Sequence, residues 1–220
     1  MSDKKRIVDQ LTTAGAVGII RAQRAEGLMH IAQSLQEGGL NCIEVTMTTP
    51  GALRAIEEIA GKLEGVLMGA GTVLDGTSAR QAVLAGAKFL VTPTVELDVI
   101  EMAHRYGVAA IPGAMTPTEI LTAWEAGADV VKVFPAGVLG PGYLKAVRGP
   151  LPQIPLAPTG GITADNAGEF IQAGAVMVCA GGWLVDKKAV DEARYDVLTQ
   201  RARQLVEAVR IQKGKLEDSR

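Results

Sequence analysis

The segment Asp129-Val130-Val131-Lys132-Val133-Phe134 contains a β-branched run that is apolar on both faces, apart from one lysine. A strand with one face in water alternates apolar and polar residues, so this pattern indicates a parallel strand that is covered on both sides. Seven more β-branched runs recur along the chain, at residues 16–20, 42–45, 65–68, 89–91, 108–111, 155–157 and 176–179. Each is followed by apolar residues at spacings of three and four, which predict helices that pack against the sheet.

Eight strands that alternate with helices predict a parallel α/β fold. An open doubly wound sheet is the alternative, but eight units in about 200 residues are typical of a (β/α)8 barrel. The G-x-G-x-x-G motif of dinucleotide-binding sheets does not follow the first predicted strand. We therefore predict one domain over residues 1–220, a single (β/α)8 TIM barrel with an extra N-terminal helix in residues 1–14 that covers the barrel floor. A long final helix is predicted from Lys187, and residues 213–220 are predicted to be a frayed tail.

Composition and charge point away from nucleic acids and membranes. The chain has 22 Lys and Arg against 24 Asp and Glu, a net charge of −2, so no field favours a polyanion. The longest nearly apolar stretch, 175–185, is far shorter than the roughly 20 residues that span a bilayer, and no apolar signal-peptide core follows the basic start. Cys42 and Cys179 lie in apolar runs and are predicted to be core residues in a reducing cytosol. We expect a cytoplasmic protein with a small-molecule partner, no nucleic acid and no membrane.

Two charged residues inside predicted strands indicate where the chemistry takes place. Active sites of (β/α)8 barrels lie at the C-terminal ends of the strands, and alternation places Lys132 and Phe134 on one face. A buried ion pair with Glu44 is the alternative, but an apolar pair would stabilise the fold equally well. A lysine removed from water favours its neutral form, a nucleophile that condenses with carbonyls, and a nearby carboxylate can move protons. We predict that Lys132 is the nucleophile and Glu44 the proton shuttle.

Glycine pairs follow the last two predicted strands. The sequence Pro158-Thr159-Gly160-Gly161 comes after residues 155–157, and Ala180-Gly181-Gly182-Trp183 comes after residues 176–179. Barrels of this kind hold phosphate at these positions with loop amides and a helix N-terminus. A lone Gly-Gly only turns the chain, whereas two such pairs at these places predict a phosphate site formed by Gly160, Gly161, Gly181 and Gly182.

Other kinds of site find little support in the sequence. The spacings of His, Asp and Glu match no metal site, and no G-x-S-x-G motif occurs, so we expect neither a metal nor a cofactor. A sugar-phosphate isomerase or epimerase is an alternative function, and a non-catalytic phosphosugar-binding barrel is another. Both would share the barrel and the phosphate loops, but neither needs a lysine that forms an imine.

Six motifs together resemble the family of 2-dehydro-3-deoxy-phosphogluconate aldolase and 4-hydroxy-2-oxoglutarate aldolase over nearly the full length. They are Gly18-Ile19-Ile20-Arg21, Ile43-Glu44-Val45-Thr46, Gly69-Ala70-Gly71-Thr72-Val73, Ile111-Pro112-Gly113, Lys132-Val133-Phe134-Pro135-Ala136 and Pro158-Thr159-Gly160-Gly161-Ile162. The resemblance implies a Schiff-base aldolase in which Lys132 forms an imine with the keto carbon and Glu44 handles protons. It also implies that Thr72 and Thr159 contact the substrate's oxygens, that the glycine loops hold its phosphate, and that the enzyme is a cytoplasmic homotrimer without a metal. Phe134, on the same strand face as Lys132, is predicted as another substrate-binding residue.

The chain departs from this family at two positions. Many members carry an arginine that grips the substrate carboxylate four residues after the glutamate, where this chain has Thr48. We predict that Arg21, at the end of the first strand, binds the carboxylate instead; a rim arginine paired with Glu26 is the alternative. Many members also carry a serine directly before Trp183, where this chain has Gly182. The predicted reaction is reversible cleavage of 2-dehydro-3-deoxy-6-phosphogluconate to pyruvate and glyceraldehyde 3-phosphate, with 4-hydroxy-2-oxoglutarate as a second substrate.

Overall fold

The strands form a closed parallel barrel in the computed structural model, which describes residues 3–218. They are β1 (Ala16–Ile20), β2 (Cys42–Thr46), β3 (Leu67–Gly71), β4 (Phe89–Val91), β5 (Ala109–Ile111), β6 (Gly113–Ala114), β7 (Val131–Val133), β8 (Leu156–Pro158) and β9 (Val178–Ala180). Hydrogen bonds link them in the orders β5-β4-β3-β2-β1-β9 and β6-β7-β8. Only Pro112 separates β5 from β6, so these two are halves of one strand, and a parallel bridge from Thr159 to Cys179 joins β8 to β9. Eight strands therefore close the ring, and the predicted TIM barrel is confirmed.

Helices surround the barrel and follow most of its strands. They are α1 (Asp3–Ala14), α2 (Leu28–Glu37), α3 (Ala52–Lys62), α4 (Gly76–Leu84), α5 (Leu97–Tyr106), α6 (Pro117–Glu125), α7 (Ala136–Arg148), α8 (Ala164–Gln172), α9 (Lys187–Asp191) and α10 (Tyr195–Glu217). Their starts carry the signals expected from sequence. Thr116 and Glu119 form a capping box at the start of α6, with Pro117 in its first turn, and Thr163 caps α8 in the same way. No helix within residues 3–218 is long and apolar enough to cross a membrane.

Alternation along the strands divides the apolar residues into two layers. The larger layer lies between the strands and the helices, whereas the smaller one fills the barrel itself. The inner layer takes side chains from β1, β2, β3, β4, β5, β8 and β9 and from Val130 beside β7, with Phe89 as its largest side chain. Ile7 and Leu11 of α1 belong to this inner layer, so the N-terminal helix packs against the barrel interior at its floor.

Two glycines leave the inward face of β3 without side chains. A Cβ atom on Gly69 would lie 2.6 Å from Cδ2 of Phe89, and one on Gly71 would lie 2.7 Å from Cδ of Glu44. Both separations are shorter than any ordinary carbon contact. The first glycine therefore makes room for the central ring of the inner layer, and the second makes room for a carboxylate.

The C-terminal helices differ from the prediction. The chain does not form one helix from Lys187, because Ala193 adopts the left-handed conformation with φ 52° and separates α9 from α10. Fraying after Gln212 is also not seen, since α10 continues to Glu217. Lys213 donates a hydrogen bond to the carbonyl of Thr12, and Leu216 packs against the outer core layer, so tertiary contacts hold this end. Residues 219–220 lie outside the described part of the chain.

Candidate active site

A cavity of about 510 Å³ opens at the C-terminal end of the barrel. All of the residues predicted for the site line it, namely Arg21, Glu44, Thr72, Lys132, Phe134, Thr159, Gly160, Gly161, Gly181 and Gly182. Parallel strands bring their carboxyl ends to one edge of the barrel, which is why residues far apart in sequence meet here. The structure therefore brings every predicted site residue together, and the role of each is considered below.

Lys132 is a lone cation on the inward face of β7. Its neighbours in the strand, Val131 and Val133, face the outer core layer, and the lysine side chain is only 6% exposed. Its ammonium nitrogen lies 5.0 Å from the centroid of the Phe134 ring, which covers one side of the amine. The lysine thus reaches the cavity from a rigid strand rather than from a mobile loop.

Glu44 occupies the inward face of β2 and is 1% exposed. Burial raises the pKa of its carboxyl group, and the positive charges of Lys132 and Arg21 oppose that shift only in part. Within residues 3–218, its Oε2 atom has no hydrogen-bond partner, although the atom is buried. A buried carboxylate oxygen without a partner costs stability, and such groups are concentrated at functional sites. The geometry leaves this oxygen able to exchange a proton with a molecule in the cavity.

Arg21 and Thr72 form a polar edge beside the carboxylate. The guanidinium donates a hydrogen bond to Thr72 Oγ1 at 3.4 Å, so its contact is with Thr72 rather than with Glu26. Thr72 itself has φ 54°, a left-handed conformation that is uncommon for a residue other than glycine. Such strain is concentrated at binding sites, where it aims a side chain.

Thr48 takes no part in the cavity wall. It is exposed, and its hydroxyl lies 3.1 Å from that of Thr46, which is also 3.1 Å from the hydroxyl of Thr49. Thr49 in turn accepts a hydrogen bond from the amide of Ala22 at 3.2 Å. This hydroxyl network connects the loop after β2 to the loop after β1, and Thr48, which stands where many members of the resembled family carry an arginine, contributes one hydroxyl to it.

The glycine loops close the opposite side of the cavity. Gly160 and Gly161 have φ 87° and φ 73°, a conformation that side chains resist. A Cβ atom on Gly161 would also lie 3.0 Å from the Cα atom of Gly137. After β9, the amide of Val185 bonds to the carbonyl of Gly181 at 2.8 Å, which makes one helical turn. The amides that precede the first bonded one in such a turn are free to meet an anion.

Other residues line the cavity that were not predicted from the sequence. They are Ile19, Pro93, Ile162, Thr163, Trp183, Val185, Asp186 and Lys187. Most are apolar or cap a helix, and nothing in their local sequence distinguishes them from core or loop residues. The sequence predicts Lys187 only as the start of the long final helix. Its proximity to a phosphate loop was the available signal, since it follows Gly182 by five residues. Within residues 3–218, no cluster of His, Cys, Asp and Glu is arranged to hold a metal ion.

Comparison with known proteins agrees with this geometry. A sequence profile described as "Aldolase: KDPG and KHG aldolase" matches residues 7–201. The chain belongs to the KDPG and KHG aldolase family. KDPG is 2-dehydro-3-deoxy-phosphogluconate, and KHG is 4-hydroxy-2-oxoglutarate. The resemblance found in the sequence motifs is confirmed, and the protein is an aldolase, a carbon–carbon lyase.

Relatives of this KDPG and KHG aldolase cover nearly its whole length. The 2-dehydro-3-deoxy-phosphogluconate aldolase of Treponema pallidum (strain Nichols) is 34% identical over 206 residues, 93% of this chain and 98% of the relative. The KHG/KDPG aldolase of Escherichia coli (strain K12) is 33% identical over 202 residues, 91% and 95% of the two chains. A KDPG aldolase from Legionella pneumophila, solved with pyruvate captured as a covalent carbinolamine, superposes with a TM-score of 0.83 at 28% identity. That match covers 90% of this chain and 97% of the other.

Proposed function

We propose that this aldolase reversibly cleaves 2-dehydro-3-deoxy-6-phosphogluconate to pyruvate and glyceraldehyde 3-phosphate through an imine on Lys132. One observation carries the proposal: Lys132 and the buried Glu44, whose Oε2 atom has no hydrogen-bond partner among residues 3–218, face the same cavity from two strands of the barrel. The same machinery would cleave 4-hydroxy-2-oxoglutarate to pyruvate and glyoxylate. An isomerase or a non-catalytic barrel would have no use for the lysine, and membership of an aldolase family disfavours both.

The reaction begins with attack of the neutral Lys132 amine on the C2 carbonyl of the substrate. The carbinolamine that results loses water and becomes a protonated imine, which is an electron sink. A base then removes the C4 hydroxyl proton, the C3–C4 bond breaks, and its electrons move to the imine nitrogen. The aldehyde leaves, and the remaining enamine takes a proton at C3. Hydrolysis of the pyruvate imine then frees Lys132. The carbinolamine captured in the Legionella pneumophila relative supports the first step.

Glu44 is the group we assign to the proton transfers. Its raised pKa brings the carboxyl closer to neutral pH, where a group can both accept and donate a proton during one turnover. It would protonate the carbinolamine hydroxyl as water leaves and accept the C4 hydroxyl proton as the bond breaks. Its unpaired Oε2 leaves one oxygen free for these transfers.

Binding of the two ends of the substrate is divided between the two sides of the cavity. We assign the carboxylate to Arg21 and Thr72, because a guanidinium can donate two parallel hydrogen bonds to it. We assign the oxygens near the reacting carbons to Thr159, which is 3% exposed at the end of β8. The amides of the loops at Gly160 and Gly182 are assigned to the phosphate.

Trapping with borohydride tests the proposed intermediate. Incubation with pyruvate and sodium borohydride should reduce the imine to a stable secondary amine, which mass spectrometry of peptides would locate on Lys132. The Lys132→Ala variant should lose both the adduct and turnover, whereas Lys145→Ala, at an exposed position of α7, should retain both. A permanent adduct on another lysine of the wild-type protein would refute the assignment.

Phosphate competition tests the proposed anion site. Inorganic phosphate should compete with 2-dehydro-3-deoxy-6-phosphogluconate, whereas it should affect cleavage of 4-hydroxy-2-oxoglutarate much less. If high concentrations of phosphate inhibit neither reaction, the glycine loops are only turns.

We also propose that the enzyme is a cytoplasmic homotrimer. Large apolar side chains remain exposed on segments that follow successive strands, namely Leu74, Leu97, Met115 and Val138. Each follows the C-terminal end of its strand, and exposed apolar side chains at that end of the barrel favour contact with another copy. Light scattering on the purified protein should give three times the 23.0 kDa mass of the chain. A mass of one chain would contradict this proposal.

A further inference from the structure

Lys187 lies where two cavities meet. It is the first residue of α9 and lines the cavity of about 510 Å³ that contains Lys132. It also lines an adjoining cavity of about 400 Å³ between the loop after β1 and the C-terminal helices, and Arg21 and Val185 are shared in the same way. Its side chain is 67% exposed, so the ammonium group can change its direction without repacking the core.

Among the cations that line the catalytic cavity, Lys187 is the one that has no role in the proposed reaction so far. The cations that line it are Arg21, Lys132 and Lys187. The first is assigned to the substrate carboxylate, and the second forms the imine. Of the acids, Glu44 is assigned to proton transfer, and Asp186 accepts a hydrogen bond from the amide of Ala189 at 2.8 Å as the cap of α9.

We propose that Lys187 is a specificity-determining residue that binds the phosphate at the far end of the substrate. This inference rests on the proposed function and adds a charged group to an anion site that otherwise consists of neutral amides. A phosphate monoester carries about 1.5 to 2 negative charges at neutral pH, which amides alone stabilise less well than amides with a cation.

Because the space at Gly182 is open, a phosphate bound there would depend more on a nearby cation. A Cβ atom there would have no atom within 4 Å, so the position offers neither a hydroxyl nor a wall to a bound phosphate. Lys187 follows five residues later and lines the same cavity. An ammonium group on a flexible stem can reach an anion in such a space from several directions.

The ammonium group of Lys187 can turn from its present partner to a ligand with little loss of stability. Its Nζ lies 2.6 Å from Oδ2 of Asp191, while Arg24 holds the other oxygen of the same carboxylate at 3.1 Å. If Lys187 turns to a phosphate, Asp191 keeps its arginine partner. Exposed ion pairs of this kind contribute little to stability, so the exchange favours the more highly charged anion.

Two neighbouring lysines provide a matched test. Lys187→Met removes the ammonium group but keeps a similar stem, and Lys188→Met makes the same change at a residue that pairs with Glu192 and does not line the cavity. The KM for 2-dehydro-3-deoxy-6-phosphogluconate should rise about tenfold in Lys187→Met, the usual effect of losing one charge-assisted contact. Lys188→Met should leave it unchanged.

The unphosphorylated sugar acid, 2-dehydro-3-deoxygluconate, separates phosphate binding from a general defect. Its KM should be the same in the wild-type protein and in both variants, and Lys187→Arg should recover most of the affinity for the phosphorylated substrate. Equal KM values for the phosphorylated substrate in Lys187→Met and Lys188→Met would overturn the proposal, as would an equal rise for both substrates. Failure of the wild-type protein to trap pyruvate on Lys132 would instead refute the proposed function.

Discussion

The barrel interior and the rim of the same cavity each present a lysine, and the two are held in different ways. Lys132 is 6% exposed on a strand between apolar layers, whereas the side chain of Lys187 is 67% exposed on a short helix. In the interior, Oε2 of Glu44 has no hydrogen-bond partner within the part of the chain that the structure describes. At the rim, Asp191 already pairs with two cations.

This difference indicates which part of the reaction each region controls. Groups that are buried on strands are held at fixed distances from one another, which bond-making chemistry requires. Exposed groups on loops and short helices change partners easily, which suits recognition of one substrate among several. We therefore expect changes in the interior to lower kcat and changes at the rim to raise KM.

The largest effect expected in this comparison, after the loss of Lys132, comes from Glu44→Gln. The amide keeps the size of the side chain but cannot exchange a proton, so kcat should fall by about 10²- to 10⁴-fold. Rapid-quench measurement of pyruvate trapping should show slower imine formation as well. Glu125→Gln, at the exposed end of α6, serves as the control. Near-normal turnover in Glu44→Gln would remove this residue from the mechanism and break the division between the regions.

A smaller interior effect is expected from Gly71→Ala, which moves the carboxylate without removing it. The added methyl group would displace Glu44, since its Cβ atom would lie 2.7 Å from Cδ of the glutamate. Displacements of about 1 Å can cost about 10²-fold, so kcat should fall about 10- to 100-fold while KM changes little. Gly61→Ala, whose methyl group meets nothing within 4 Å, is the control. Circular dichroism checks that both variants fold. An unchanged kcat in folded Gly71→Ala would show that Glu44 does not need the space that this glycine leaves.

Arg21 shares features of both regions. It is exposed like the rim residues, yet its positive charge lowers the pKa of the buried Glu44 carboxyl. Arg21→Lys keeps the charge but loses the planar pair of donors, so KM should rise about tenfold with a smaller change in kcat. Pyruvate trapping should need higher pyruvate concentrations, and phosphate competition should stay as in the wild type. Arg105→Lys, on the outer surface of α5, is the control. Unchanged KM and unchanged trapping would mean that backbone amides hold the carboxylate.

The smallest effect concerns stability rather than rate. Because burial raises the pKa of Glu44 above its unfolded value, the neutral carboxyl stabilises the fold at low pH. That contribution is lost as pH rises through the folded pKa. The Tm of Glu44→Gln relative to the wild type should therefore increase from about pH 4 towards neutrality. The scale is about 2 to 4 °C per kcal/mol for a chain of this size. Calorimetry across this range would show a constant difference if Glu44 titrates normally.

The interior was more predictable from sequence than the rim. Lys132 and Glu44 stand out because a charge in a β-branched run has no structural reason to be there. Lys187 does not stand out, because an exposed lysine at a helix start is ordinary, and only the position of β9 brings it to the cavity. Boundaries were less accurate, since β3 begins at Leu67 and ends at Gly71, whereas residues 65–68 were predicted. Strand ends depend on pairing with neighbours, which local sequence does not specify.

The two inward glycines of β3 have a further consequence for how this barrel can change over evolutionary time. A ring at position 89 and a side chain at position 69 exclude each other, as do a glutamate at position 44 and a side chain at position 71. Substitutions at such positions are not additive, because each first step is penalised until its partner becomes smaller. A side chain at position 69 is therefore expected to be accepted only after the ring at position 89 has been replaced by a smaller side chain. Because we propose that Glu44 carries out the proton transfers, we expect position 44 to keep its glutamate and glycine to persist at position 71 for as long as the activity is selected.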